Sequence, residues 1–259
     1  MGENHHRSGY LKILHEAEKD DRVVGLILGG SRGKGCATQH SDYDIYIIVR
    51  DGTIEDFREK YAIKPGEHQT CIDGNDLLVF TQTEFKNYAQ YGTKEEGYIY
   101  NFVHLIPTLD KTGEIKQLLE EKQRIPPEKL HDVIAHGIDA YINYLYRSVK
   151  CHRDGHEIGA RIEANVSMIC FQNLIYAMDG GRIAPYGKYF LWEMEHYPLK
   201  CIPLAKDELV GLMLKIWNSA DIDAQRKLYF LVEEIAKRQG YEKYITDWGE
   251  PSLKLIRGS

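Results

Sequence analysis

Two carboxylates, Asp42 and Asp44, follow a turn of small residues, Gly29-Gly30-Ser31, and both groups flank apolar runs. The turn comes after Val23-Val24-Gly25-Leu26-Ile27-Leu28, and the carboxylates open a second run from Ile45 to Val49. Side chains alternate faces along a strand, so Asp42 and Asp44 are expected on the same side. Carboxylates held that close repel unless a cation lies between them. Hard oxygen donors suit magnesium, which takes one or two carboxylates and completes its shell with water and substrate phosphates. The turn supplies the other half of such a site. Its glycines let backbone N–H groups approach a phosphate, and a helix starting near Ser31 adds its positive end. Ser31 is expected to cap that helix while leaving its own N–H for phosphate. Arg32 and Lys34 follow directly, and one of them is a candidate triphosphate contact; the plainer reading is a pair of exposed helix charges. The chemistry implied is metal-assisted phosphoryl or nucleotidyl transfer.

The turn is not one of the better-known phosphate loops. Gly-x-x-x-x-Gly-Lys-(Ser/Thr) fails, because Leu28 stands five residues before Gly33 and Gly35 follows Lys34; Gly-x-Gly-x-x-Gly fails as well. The segment instead resembles the DNA polymerase beta-like nucleotidyltransferase superfamily. Gly30-Ser31-Arg32, Lys34-Gly35, Ala37 and Ser41-Asp42-Tyr43-Asp44 follow its pattern Gly-Ser-Arg-x-(Lys/Arg)-Gly-x-Ala…Ser-Asp-x-Asp. In layout the chain is most similar to small bacterial antibiotic nucleotidyltransferases of the aminoglycoside and lincosamide type.

The resemblance implies a third carboxylate on a neighbouring strand, one that binds the metal activating the attacking hydroxyl and can accept its proton. Asp76 leads the apolar run Leu77-Leu78-Val79-Phe80 and is preferred for that place; Asp73, before Gly74, is better explained as a turn residue. Two magnesium ions are then expected on Asp42 and Asp44, one of them shared with Asp76. Gly30 and Ser31 would bind the β,γ-phosphates of a nucleoside triphosphate such as ATP. Helical domains of similar enzymes often carry a Gly-Arg…Lys-Tyr stretch facing the cleft. Gly181-Arg182 and Lys188-Tyr189 match it, so Arg182 or Lys188 becomes a further phosphate contact, against a plain connecting loop with solvated charges.

Bulk properties narrow the choice. The chain has 259 residues, enough for one large or two modest domains, with 43% hydrophobic and 28% charged residues, ordinary values for a globular protein. No apolar run approaches the ~20 residues of a membrane span, and the polar N-terminus does not read as a signal peptide. Five scattered cysteines without a Cys-x-x-Cys pair fit reduced thiols and a cytoplasmic location. The net charge is −6, and acidic side chains outnumber basic ones by 21 to 16 in residues 1–125 against 18 to 17 in the remainder. An acidic catalytic half argues against polyanionic acceptors such as tRNA or mRNA and suits a cationic small molecule.

The elements that must position these residues are legible in outline. A helix over 9–19, a strand over 22–28, a short helix over 31–36 and a strand over 43–49 come first. A Thr53-capped helix to Lys60 follows. A hairpin from Glu67 to Thr81 turns on Asp73-Gly74-Asn75, a short helix starts at Thr83, and Phe102 to Leu109 reads as a last strand. After Pro126-Pro127 the apolar period becomes helical, from Leu130 to Val149, Ile158 to Met178, 206–219 and 222–239. His152 and His156, separated by the helix-breaking Asp154-Gly155, read as surface residues. The expected architecture is α+β: a mixed-sheet nucleotidyltransferase domain over residues 1–120, then an α-helical bundle over 121–259.

The expected function is a magnesium-dependent nucleotidyltransferase that moves a nucleoside monophosphate from the triphosphate to a hydroxyl of a small molecule, with release of pyrophosphate. An antibiotic acceptor, and hence antibiotic resistance, is implied by the resemblance alone. The alternatives are an adenylyltransferase acting on a protein side chain, of antitoxin or regulatory type, and a non-catalytic nucleotide-binding module. No nucleic-acid or membrane partner is expected, and the protein is a monomer or homodimer.

Overall fold

Every residue of Ile45–Val49 is apolar, and a strand of that composition needs cover on both faces. The computed structural model, which describes residues 3–258, provides it. The chain divides into two compact units, Met1–Arg124 and Ile125–Ser259. In the first, α1 (Glu3–Lys19), β1 (Val23–Leu28), α2 (Gly30–Gly33), β2 (Asp44–Val49) and α3 (Ile54–Lys60) lead into β3 (Gln69–Ile72) and β4 (Asn75–Thr81). Then come α4 (Gln82–Asn87), a 3-10 turn at Glu96–Phe102, β5 (Leu109–Asp110) and α5 (Glu114–Lys122). The strands form one mixed sheet in the order β3-β4-β2-β1-β5, with β2 and β4 parallel and the other pairs antiparallel.

Alternation along β2 sorts the two layers. Ile45, Ile47 and Val49 join Leu77 and Val79 of β4 against Tyr10, Ile13 and Ala17 of α1 and Phe57 of α3. Tyr46 turns the other way, its ring 5.3 Å from that of Phe102; Phe85 meets Phe102 at 5.4 Å and Phe80 meets Tyr88 at 4.7 Å. Burying each such side chain contributes roughly 1.5–3 kcal/mol. The strand that begins with Asp44 is therefore anchored by its own apolar run.

Several local expectations need correction. The hairpin turn has two residues, because Asp73 and Gly74 both take positive φ (52° and 78°) and Ile72 pairs with Asn75. Asn75 thus opens β4. Thr53 precedes α3, but its hydroxyl donates to Arg50 O at 2.8 Å and caps nothing. Thr81 does cap, in a reciprocal box with Glu84 at the start of α4. Phe102–Leu109 is not a strand. His104 takes φ 62°, Pro107 lacks an N–H, and only Leu109 and Asp110 pair with β1.

The second unit is helical: α6 (Pro127–Arg153), α7 (Glu157–Met178), α8 (Phe190–His196), α9 (Lys206–Ser219), α10 (Ile222–Arg238), α11 (Glu242–Thr246) and α12 (Glu250–Arg257). The α+β architecture, a mixed sheet followed by a helical region, is the one expected. Among the described residues this unit has seven α-helices where periodicity marks four stretches, because α8, α11 and α12 are too short to show a stripe. Pro127 takes the first helical position of α6. His152 is half-buried, its Nε2 2.7 Å from Ala220 O, so it is more than a surface residue. Among the described residues no helix is long and apolar enough to cross a membrane.

One buried cation fastens the aromatic layer of the first unit. Lys122 of α5 is 6% exposed and donates to Lys86 O and Tyr88 O beside the rings of Phe85 and Phe102. Burial pushes its pKa down to about 8. From there up to the unfolded value of 10.5 the unfolded chain holds a proton that the folded chain has shed, so stability rises with pH. Urea unfolding followed by circular dichroism should show a gain of about 1–2 kcal/mol between pH 8 and about 9.5, absent from Lys122→Met.

Candidate active site

The parallel pairing of β2 with β4 sets two carboxylates side by side. Asp44 is the register partner of Asp76, and the pairing continues from Ile45–Leu77 to Val49–Thr81. Partners on neighbouring strands lie about 4.8 Å apart and share a face. Asp44 and Asp76 therefore share the face of Tyr46 and Phe80, away from α1, and both are half-buried. Asp73 is elsewhere. It is exposed in the turn, and a Cβ added to Gly9 of α1 would lie 3.2 Å from its Oδ2.

The glycine turn fits against Asp44 with no room to spare. Gly29 N donates to Asp44 O at 2.7 Å. Gly30 takes φ +56°, and a Cβ there would lie 1.7 Å from Asp44 Oδ2. The carboxylate occupies the space of the missing side chain. Gly33, at the end of α2, passes so close to β1 that a Cβ would lie 2.0 Å from Leu28 O.

Side chains of α2 hold the following loop. The N-cap position belongs to Gly29, not to Ser31 as expected, and no side chain caps the helix. Ser31 Oγ instead donates to Ser41 Oγ at 2.8 Å. Arg32 donates to Ser41 O at 2.8 Å and Asp42 O at 3.1 Å, with its guanidinium 4.2 Å from the centre of the Tyr43 ring. Lys34 points inward: 7% exposed, it donates to Tyr100 O at 3.1 Å and to Val103 O, 4.5 Å from the centre of the Tyr100 ring. Contrary to the expectation of a triphosphate contact, the Lys34 ammonium is committed to carbonyls within its own unit.

Asp42 also departs from expectation. β2 begins at Asp44, so Asp42 lies in the preceding segment, beyond the reach of the ladder. Exposure still alternates as in an extended chain, with Asp42 exposed, Tyr43 buried, Asp44 half-buried and Ile45 buried. Among the described residues no three His, Cys, Asp or Glu side chains form a group that could hold a metal ion by themselves. What the fold provides is a register-fixed pair, Asp44 and Asp76, with Asp42 on an adjoining loop.

The family model for the nucleotidyltransferase domain matches residues 9–130. Residues 9–130 are a nucleotidyltransferase domain. Among solved structures, a nucleotidyltransferase-like protein from Exiguobacterium sibiricum 255-15 is similar over 96% of this chain and 86% of its own, at 10% identity and a TM-score of 0.45. No curated protein matches the sequence.

Within the nucleotidyltransferase domain the sequence reading overlooked Asn75, assigning it to a turn. The side chain is fully buried at the start of β4, beside Asp76. Its Oδ1 accepts from Tyr43 N at 3.3 Å, its Nδ2 donates to His6 O at 2.9 Å, and His6 Nδ1 lies 3.1 Å from Oδ1. The available signal was Asp73-Gly74, a two-residue hairpin turn that leaves Asn75 as a polar residue opening an apolar strand.

The basic residues proposed from the helical region divide. Lys188 is exposed, with its ammonium 4.7 Å from the centre of the Tyr189 ring. Arg182 is structural: it pairs with Asp179 at 2.8 Å and buried Glu193 at 2.7 Å, donates to Tyr197 O at 2.7 Å, and lies over Tyr176. Breaking a buried pair leaves an uncompensated charge, which fixes Arg182 in that role.

The two glycine positions can be told apart by experiment. Gly35 also has positive φ (+74°), but a Cβ there meets nothing within 4 Å. Gly35→Ala should cost only about 1 kcal/mol of backbone strain. Gly30→Ala adds the collision with Asp44 and should lower the melting temperature well beyond that. Equal losses in the two variants would refute the contact.

Proposed function

We propose that this protein transfers a nucleoside monophosphate from a nucleoside triphosphate to a hydroxyl group of a small acceptor, releasing pyrophosphate. The observation that carries the reading is the Asp44–Asp76 register pair with Gly30 pressed against the Asp44 carboxylate. Oxygen donors of this kind fit magnesium, and two carboxylates suffice when substrate phosphates complete the shell. Asp44 and Asp76, with Asp42 on the adjoining loop, are the residues that would hold it. A bound divalent cation supplies charge neutralisation on the phosphates and lowers the pKa of the attacking hydroxyl.

The chain's own residues account for the remaining work. Gly30 and Ser31 offer backbone N–H groups to the β,γ-phosphates, since the first amides of a helix lack intrahelical partners. Arg32 keeps Ser41 and Asp42 against the turn and adds positive charge beside them. The acceptor oxygen attacks the α-phosphorus in line, and the bond to the bridging oxygen breaks with its electron pair leaving on pyrophosphate. Asp76 accepts the proton of the hydroxyl. A catalytic half with 21 acidic and 16 basic side chains favours a cationic acceptor over a polyanion. A cationic antibiotic of the aminoglycoside or lincosamide type is the first acceptor class to test.

Purified protein incubated with each labelled nucleoside triphosphate, magnesium and a panel of such acceptors should release pyrophosphate and label a small molecule. Asp44→Asn and Asp76→Asn should each lose at least about 100-fold in turnover with the fold intact, as expected for groups that stabilise charge in the transition state. Asp42→Asn should lose turnover as well, whereas Asp73→Asn should stay within about threefold of wild type. Near-normal turnover in Asp44→Asn or Asp76→Asn would sink the assignment. Label appearing on protein would redirect it to side-chain adenylylation.

A further inference from the structure

Resting on the nucleotidyl-transfer reading, we infer that Asn75 is a positioning residue for Asp42, its buried amide extending the β2–β4 pairing one step past the ladder. The ladder opens at Asp44–Asp76. One step earlier, Tyr43 would face Asn75, the first residue of β4, where the ladder with β2 has already ended and the hairpin turn begins. The side chain takes over: its Oδ1 accepts the Tyr43 N–H that no strand carbonyl receives there. The orientation of the amide follows from its partners. A backbone N–H can only donate, so the oxygen faces Tyr43, and the NH₂ faces His6 O. His6 locks this arrangement through its ring Nδ1 and lies against the turn, where a Cβ on Gly74 would meet His6 Cε1 at 2.5 Å.

The stretch carrying Asp42 is thereby held from three directions. Arg32 binds Ser41 O and Asp42 O from α2. Tyr10 of α1 stacks on the Tyr43 ring at 4.8 Å. Asn75 binds the Tyr43 N–H from the Asp76 side. Of the three, Asn75 alone ties this stretch to the strand that bears Asp76. Asp42 lies outside the sheet register, so its distance from the Asp44–Asp76 pair depends on that tie.

The test compares wild type, Asn75→Ala, Asn75→Asp (which keeps an acceptor for Tyr43) and Ser148→Ala, a buried polar control in the helical unit. Two quantities are read in each: hydrogen exchange at the Tyr43 amide, and the magnesium concentration giving half of the thermal stabilisation produced by ATP. Asn75→Ala should lose Tyr43 protection and need about 10-fold more magnesium, the usual cost of removing a group that orients a ligand. Asn75→Asp keeps the acceptor for Tyr43 but loses the donor to His6 O, so it should fall between wild type and Asn75→Ala in both readouts, and it carries the test should the alanine variant not fold. Ser148→Ala should change neither. A variant that loses Tyr43 protection with its magnesium requirement unchanged overturns the inference. Wild-type protein that magnesium and ATP fail to stabilise overturns the nucleotide reading itself, and this inference with it.

Discussion

The parallel hydrogen-bonded pairing of β2 with β4 is the constraint on which the placement of Asp44 and Asp76 depends. Side chains in a sheet have a period of two, so a slip of one residue would send Asp76 to the α1 face and Leu77 to the side of Asp44. The apolar runs prevent it. Ile45, Ile47 and Val49 on one strand and Leu77 and Val79 on the other must all enter the α1 layer together. Hydrophobic burial thus fixes the position of two charges that contribute nothing to it.

The glycine turn is positioned by different means. α2 is a single turn of helix, too short to be stable alone. It is held by steric fit at Gly30 and Gly33, by the Gly29–Asp44 backbone bond, and by two cations working in opposite directions. Arg32 reaches forward to the loop before β2, and Lys34 reaches down to carbonyls sixty-six and sixty-nine residues later. Basic residues next to a phosphate loop invite a ligand role; at Lys34 the charge serves the architecture.

What could be read in the sequence was whatever is local. The order β1, glycine turn, carboxylates, β2 is written in apolar runs and small residues within about twenty-five positions, and Asp76 is marked by the strand it leads. Structure that depends on distant partners was not legible. Lys34 looks like a surface lysine until Tyr100 and Val103 are in place, and Asn75 looks like a turn residue until register sets it beside Tyr43. Arg182 looked available because Glu193 and Tyr197 lie beyond the next turn. Phe102 to Leu109 is apolar enough for a strand, but Phe102 serves the aromatic layer and His104 and Pro107 prevent a ladder.

The pair of bonds between His6 and Asn75 joins the first turn of α1 to the edge of the carboxylate face. Residues far apart in sequence are in this way made neighbours of the Asp44–Asp76 pair. Trimming the amino terminus back to Tyr10 would spare every acidic and glycine residue of the site and still strip the amide of two contacts that orient it. The first turn of α1 is therefore part of the frame that holds Asn75 beside Asp76.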